Sequence, residues 1–146
     1  MDPRLVELER LLVRRYEAGA ILLDVDMYDR WGAAHGSPEE QAEMADRGAR
    51  ANAERQEVSR ELAVRSRALR AEAPELIDAW CDAHEQLLTE FIASREDDER
   101  QRTEKFVASE ERDGWRRVRA GTSDFVEENT FYVRVDPRRR RELLGV

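Results

Sequence analysis

The sequence has 146 residues, a formal net charge of -8 and 40% charged residues. This length fits a single domain, 1–146, and the 31 Leu, Ile, Val and Phe residues can form only a thin core, which favours an elongated shape. No apolar run approaches the roughly 20 residues that a membrane helix needs, and the N-terminal residues lack the pattern of a secretory signal. We therefore expect a cytoplasmic protein with no membrane contact.

Four prolines mark the expected starts of helices, because a proline at the first helical position loses no hydrogen bond. Ser37 and Glu40 around the second of them form a capping box. The predicted helices cover about 3–31, 38–72, 74–113 and 137–144. The third carries no large hydrophobic residue from Ser94 to Lys105, so it is either one solvated helix or two helices with a break near 95–105.

The first predicted helix has the clearest amphipathic pattern. Its apolar stripe has spacings of three and four residues and comprises Leu5, Leu8, Leu12, Tyr16, Gly19, Leu23 and Met27. Further along, Phe131, Val133 and Val135 alternate with polar residues, which is typical of a strand. A β-hairpin is predicted within about 115–135, with strands at 123–127 and 131–135 and a third candidate strand at 115–119.

These patterns predict a mainly α fold, an elongated, coiled-coil-like antiparallel three-helix bundle with a small C-terminal β-hairpin and a short terminal helix. In such a bundle the end of the first helix, the start of the second and the late part of the third lie together. That end would gather eleven carboxylates and five arginines. An acidic surface attracts basic protein partners, although the same residues could be only the solvated faces of amphipathic helices.

The expected partner-binding residues combine these carboxylates with one aromatic side chain, since tryptophan is enriched at interface hot spots. They are Asp24, Asp26, Asp29, Trp31, Glu96, Asp97, Asp98 and Glu99.

A cluster of arginines near the C-terminus supports an alternative, binding to nucleic acid. It comprises Arg116, Arg117, Arg119, Arg138, Arg139, Arg140 and Arg141. The same arginines could instead neutralise the acidic surface of the protein itself.

Candidate catalytic and metal-binding residues are few. Cys81 and His84 lie three residues apart on a predicted helix, where they could bind one metal ion or belong to the core. The stretch that begins at Asp24 has the alternating acids of a calcium loop but lacks its glycine and its final glutamate. No nucleophile elbow, phosphate-binding loop or dinucleotide-binding motif is present, so we expect no catalysis, no cofactor and no metal.

The sequence therefore predicts a non-catalytic protein-binding module. A concrete form of this hypothesis is an acidic inhibitor, or an immunity-type protein, that binds a basic effector. The alternatives are a nucleic-acid-associated protein and a self-assembling helical protein. We also expect a homo-oligomer, because a second copy could complete the thin core.

Overall fold

The computed structural model describes residues 2–103, 109–122 and 137–145. This part of the chain is mostly helical, and no strand occurs in it. The helices are α1 (Pro3–Trp31), α2 (Pro38–Glu72), α3 (Pro74–Ala93), α4 (Asp97–Thr103), α5 (Ser109–Ala120) and α6 (Pro137–Leu144), with one 3-10 turn at Ala33–His35. Among these helices, none is long and apolar enough to cross a membrane.

Four of the six described helices, α1, α2, α3 and α6, start at the four prolines that marked predicted helix starts. A carboxylate oxygen of Asp2 accepts a hydrogen bond from the backbone N–H of Arg4 at 2.8 Å. The hydroxyl of Ser37 accepts one from the backbone N–H of Glu40 at 3.1 Å. Both side chains satisfy N–H groups that the first helical turn leaves without a partner inside the helix, which fixes where α1 and α2 begin.

Helices α1 and α2 form an antiparallel hairpin. Arg4 near the start of α1 pairs with Glu72 at the end of α2, with 2.7 Å between Nη1 and Oε2. Asp24 late in α1 approaches Arg47 early in α2, with 4.0 Å between Oδ2 and Nη2. Because the residue number rises along α1 as it falls along α2, the two helices run in opposite directions.

Four helices contribute side chains to one buried cluster at the end of the hairpin where α1 begins and α2 ends. Two tryptophans meet in it, and the rings of Trp80 and Trp115 contact edge to face with 4.9 Å between their centres. The aliphatic members are Leu5, Leu8, Leu11 and Leu12 of α1, Val58, Leu62 and Leu69 of α2, Ile77 of α3 and Val118 of α5. Helices α5 and α6 pack against α3.

The predicted third helix of 74–113 is broken. Helix α3 ends at Ala93, and the Ser94 hydroxyl donates a 2.7 Å hydrogen bond to the carbonyl of Phe91. The chain resumes a helix at Asp97. The break falls on Ser94, Arg95 and Glu96, which offer no apolar side chain whose burial could extend α3 through this point.

The predicted third strand at 115–119 is wrong, because this segment belongs to α5. Trp115 and Val118 are both buried, and their spacing of three places them on the same face of a helix. Gly121 follows with φ of +81°, and Thr122 donates a hydrogen bond to the carbonyl of Arg117 at 2.9 Å, as in a glycine-capped helix end. The two predicted strands at 123–127 and 131–135 lie outside the described residues.

Candidate protein-binding surface

The far half of the α1–α2 hairpin differs from the half that holds the core. From residue 20 to residue 50 no residue is buried. Helix α1 before residue 20 and helix α2 after residue 50 both bury several residues. We call residues 20–50 the arm. Because the arm adds nothing to the buried cluster, its side chains are available for other contacts.

Close backbone approach helps to hold the two helices of the arm together. A Cβ atom added at Gly48 of α2 would lie 3.1 Å from a methyl carbon of Val25 on α1. That distance is shorter than an ordinary contact between carbon atoms. A glycine inside a helix lowers the stability of that helix. At position 48 this cost accompanies a closer contact between α1 and α2 than a larger side chain would allow.

The turn at the end of the arm is built around Tyr28. Its ring lies against Gly32 and Gly36, where an added Cβ would collide with it. Burial raises the pKa of the Tyr28 phenol, and the negative charges of Glu40 and Asp29 add to the effect. The turn that follows Trp31 is thus packed around the ring of Tyr28.

Trp31 is the most exposed large apolar residue that the structure describes. Its side chain is 74% exposed, compared with 0% for Trp80 and 5% for Trp115. Met27, one helical turn earlier, is 48% exposed, and Leu23, a further turn back, is partly buried. These three residues follow one another at a spacing of four and therefore lie on one face of α1.

The arm is also acidic, with seven carboxylates and three arginines. Asp26 pairs with Arg30 at 3.3 Å and Asp24 approaches Arg47 at 4.0 Å, but all four side chains stay well exposed. Exposed pairs of this kind contribute little to stability. Asp46 pairs with Arg50 at 3.0 Å in the same way, so the three arginines offset three of the seven carboxylates and four net negative charges (seven minus three) remain on the arm.

The predicted partner-binding residues fall on two elements. Asp24, Asp26, Asp29 and Trp31 belong to the arm, whereas Glu96, Asp97, Asp98 and Glu99 precede or begin α4, which packs against α3.

Together with Arg102, the four acids near α4 line an open depression. Asp97 pairs with Arg100 at 3.2 Å and Glu99 with Arg95 at 3.8 Å, so the arginines on either side of the acidic run already balance part of this charge. The arm has the larger uncompensated charge, and it also presents the exposed tryptophan.

Several of the C-terminal arginines are engaged within the fold. Arg119 of α5 pairs with Asp82 at 2.5 Å and with Asp78 at 3.3 Å. Arg139 of α6 pairs with Glu90 at 2.8 Å. These contacts attach α5 and α6 to the acidic outer face of α3, so both arginines neutralise acids of the protein itself.

The remaining arginines of the predicted nucleic-acid cluster have varied surroundings. Arg116 pairs with Asp113 at 2.8 Å, while Arg117, Arg138 and Arg141 are exposed. The side chain of Arg140 lies outside the described part of the structure. The cluster is therefore divided between α5 and α6, and two of its members are occupied by the carboxylates of α3.

Cys81 and His84 belong to the core. His84 is 1% exposed, and its ring stacks on Trp115 with 4.2 Å between the ring centres. Burial raises the pKa of the Cys81 thiol to about 11, which disfavours the thiolate that metal ions bind. Within residues 2–103, 109–122 and 137–145, no three histidine, cysteine or acidic side chains are grouped so that they could hold a metal ion.

Two buried polar residues of α1 escaped the sequence analysis. Glu9 is 3% exposed and accepts a hydrogen bond from the indole of Trp80, and Arg15 is 1% exposed and donates to the hydroxyl of Ser59 at 3.0 Å. The burial of Glu9 could have been predicted from its position, because it lies one residue after the core residue Leu8 and next to the apolar stripe. Both residues connect α1 to its neighbours, so they belong to the support of the fold.

Comparison of the chain with protein-family models, with curated proteins and with solved structures gives no match. The assignment of a function therefore depends on the surfaces described above.

Proposed function

We propose that this protein is a non-catalytic protein-binding module that uses the arm to bind a basic partner. The observation that supports this proposal is the exposure of Trp31 among carboxylates, on a part of the hairpin with no buried residue. Exposed apolar residues that lie next to one another mark interaction sites more often than single ones do, and Trp31 continues an exposed stripe with Met27. Tryptophan is also among the residues that contribute most to binding energy at protein interfaces.

The charge of the arm narrows the class of partner. Seven carboxylates against three arginines create a negative potential that attracts a basic protein and repels nucleic-acid phosphates. In the concrete form of the proposal the protein is an acidic inhibitor or an immunity-type protein. Its carboxylates would occupy the basic substrate site of an effector such as a nuclease. The residues assigned to binding are Asp24, Asp26, Asp29 and Trp31, with Glu96, Asp97, Asp98 and Glu99 near α4 as a second acidic contact.

The first experiment compares recovery of a binding partner by wild-type protein and by charge variants. The tagged full chain is expressed in its native cells and purified at low and at high salt, with and without nuclease. One variant carries Asp24→Asn and Asp29→Asn in the arm. Its control carries Glu57→Gln and Glu75→Gln, which remove the same number of exposed charges elsewhere.

We expect a basic protein in stoichiometric amount with the wild type and with the control, and at least a tenfold loss with the arm variant. Nucleic acid that co-purifies at low salt and is lost at high salt would favour the alternative, in which the C-terminal arginines bind phosphates. Recovery of the chain alone would contradict both proposals. The mass of the purified protein in solution would then decide whether it assembles with itself.

A further inference from the structure

The apolar stripe of α1 is covered in only one half of the hairpin. Near the start of α1, the stripe residues Leu5, Leu8 and Leu12 are buried in the cluster to which α3 contributes Ile77 and Trp80. The spacing of three and four residues then continues into the arm as Leu23, Met27 and Trp31, which we call the arm stripe. Here the described residues leave Met27 and Trp31 largely exposed.

The difference between the two halves follows from the lengths of the helices. Helix α2 has 35 residues and α1 has 29, whereas α3 ends after 20. Among the described residues, α3 joins the hairpin in the buried cluster, and the arm consists of α1, α2 and the turn between them. In the core half, Ile77 and Trp80 of α3 lie in the same buried cluster as the α1 stripe, so a helix is an element that can supply apolar cover at such a stripe.

We infer that the arm stripe is the docking site for a basic amphipathic helix of a partner protein, which takes the place of a third helix along the arm. This inference rests on the proposed function and specifies the binding element of the partner. Leucine, isoleucine or methionine side chains on one face of that helix would cover Met27 and Trp31. Lysine or arginine side chains on either side would face the carboxylates of the arm, as charge complementarity at an interface requires.

Charge also argues against a second copy of this chain as the occupant. Each arm carries seven carboxylates and three arginines, an excess of four negative charges. Two arms placed side by side would bring these charges together, and like charges at an interface are strongly unfavourable. A basic helix lowers this repulsion and at the same time supplies the missing apolar cover. The chemistry of the arm therefore favours a basic partner over self-association.

The test places a photoactivatable benzoyl-phenylalanine at position 27 of the full chain, expressed in its native cells. Matched positions are 98 in α4 and 64 in α2, because Asp98 is exposed and Val64 is 65% exposed outside the arm. After irradiation the cross-linked peptide is identified by mass spectrometry. We expect capture at position 27 of a segment in which apolar residues recur every three or four positions with lysine or arginine between them, and at least tenfold less capture at position 64.

The outcomes separate this inference from the proposed function. If the wild-type chain recovers a basic partner but cross-linking occurs only at position 98, the module binds proteins through α4 and the assignment of the arm stripe is wrong. A captured segment that is acidic or lacks helical spacing also overturns the inference, as does capture of a second copy of this chain. If the wild-type chain recovers no partner at all, the proposed function itself fails.

A variant provides an independent check. Met27→Asp places a charge in the middle of the arm stripe, and we expect it to reduce recovery of the partner at least tenfold. Val64→Asp introduces the same charge on an exposed site outside the arm and should leave recovery within twofold of the wild type. Equal effects of the two substitutions would overturn the inference.

Discussion

The indole Nε1 of Trp80 donates a hydrogen bond of 3.0 Å to Oε2 of Glu9, and both side chains are buried. This contact connects α3 to α1 across the core. A buried donor that loses its acceptor lowers stability by about 1–3 kcal/mol. The orientation of α3 against the hairpin therefore depends on a polar contact as well as on apolar packing.

We predict that Glu9→Leu lowers the free energy of unfolding by about 1–3 kcal/mol, because it leaves the Trp80 N–H without this acceptor. Trp80→Phe should destabilise less in the Glu9→Leu background than in the wild type. Urea denaturation of the wild type, the two single variants and the double variant gives the coupling free energy between the two residues. We expect about 0.5–3 kcal/mol, the range found for residues in contact. Additive effects of the two substitutions would mean that the contact contributes nothing to stability.

Trp31 should be distinguishable from the other two tryptophans by fluorescence. Because it is exposed while Trp80 and Trp115 are buried, acrylamide should quench its emission first. We predict that Trp31→Phe removes the quenchable, red-shifted part of the spectrum and changes stability by less than about 0.5 kcal/mol. Trp80→Phe, the control, should remove blue-shifted emission and destabilise the protein. If Trp31→Phe left quenching unchanged, the indole would be covered in solution.

The arm should be sensitive to substitution at Gly48. Leucine at this position would collide with Val25, and overpacking of this kind typically costs about 1–3 kcal/mol. We predict faster amide exchange across residues 20–50 in Gly48→Leu, with exchange in the core half of the hairpin unchanged. Ala49→Leu is the matched control, since Ala49 is exposed on the same helix. Equal exchange in the two variants would contradict close packing of the arm.

Cys81 should be unreactive in the folded protein. Burial raises the pKa of its thiol to about 11, so at pH 8 only about one molecule in a thousand carries the reactive thiolate. We predict that an aromatic disulfide reagent modifies Cys81 slowly in buffer and at once in urea. Ala79→Cys adds an exposed thiol on the same helix, and this variant should show one fast and one slow thiol. Fast reaction of both would mean that Cys81 is accessible.

The sequence was most informative where helix caps and apolar periodicity agree. Two of the prolines marked the starts of α1 and α2, and in the structure Asp2 and Ser37, directly before them, each accept a capping hydrogen bond. The periodicity of α1 also identified Leu5, Leu8 and Leu12, which the structure buries. These features depend on residues close together in the chain, so local physical chemistry is enough to predict them.

Features that depend on contacts distant in sequence were harder to predict. Trp115 and Val118 are both β-favouring residue types, yet packing in the cluster that holds Trp80 stabilises a helix at this position. The sequence left open that the C-terminal arginines neutralise acids of the protein itself, but it did not identify Asp82 and Glu90 of α3, about 40 to 50 residues earlier in the chain, as the partners of Arg119 and Arg139. Arginine clusters look alike in a sequence, whether their partner is a phosphate or a carboxylate of the same chain.

Arg139 should control the attachment of α6 to α3. Its guanidinium donates two hydrogen bonds to the carboxylate of Glu90, at 3.0 and 2.8 Å, and holds the pKa of Glu90 below its ordinary value of 4.5. A carboxyl group with a lowered pKa in the folded state stabilises that state above its unfolded pKa, and this contribution is lost as the pH falls through the folded pKa. The attachment of α6 should therefore be intact at neutral pH and weaken below about pH 4.5.

We predict that the backbone amide resonances of α6 shift towards unstructured positions as the pH falls below 4.5, before the core unfolds. In Arg139→Gln they should already be shifted at pH 7, whereas Arg141→Gln removes the same charge from an exposed position on α6 and should resemble the wild type. High salt should act in the same direction as acid, because it screens exposed ion pairs. If Arg139→Gln left the resonances of α6 unchanged at pH 7, the packing of Leu143 against the core would be sufficient to hold the helix.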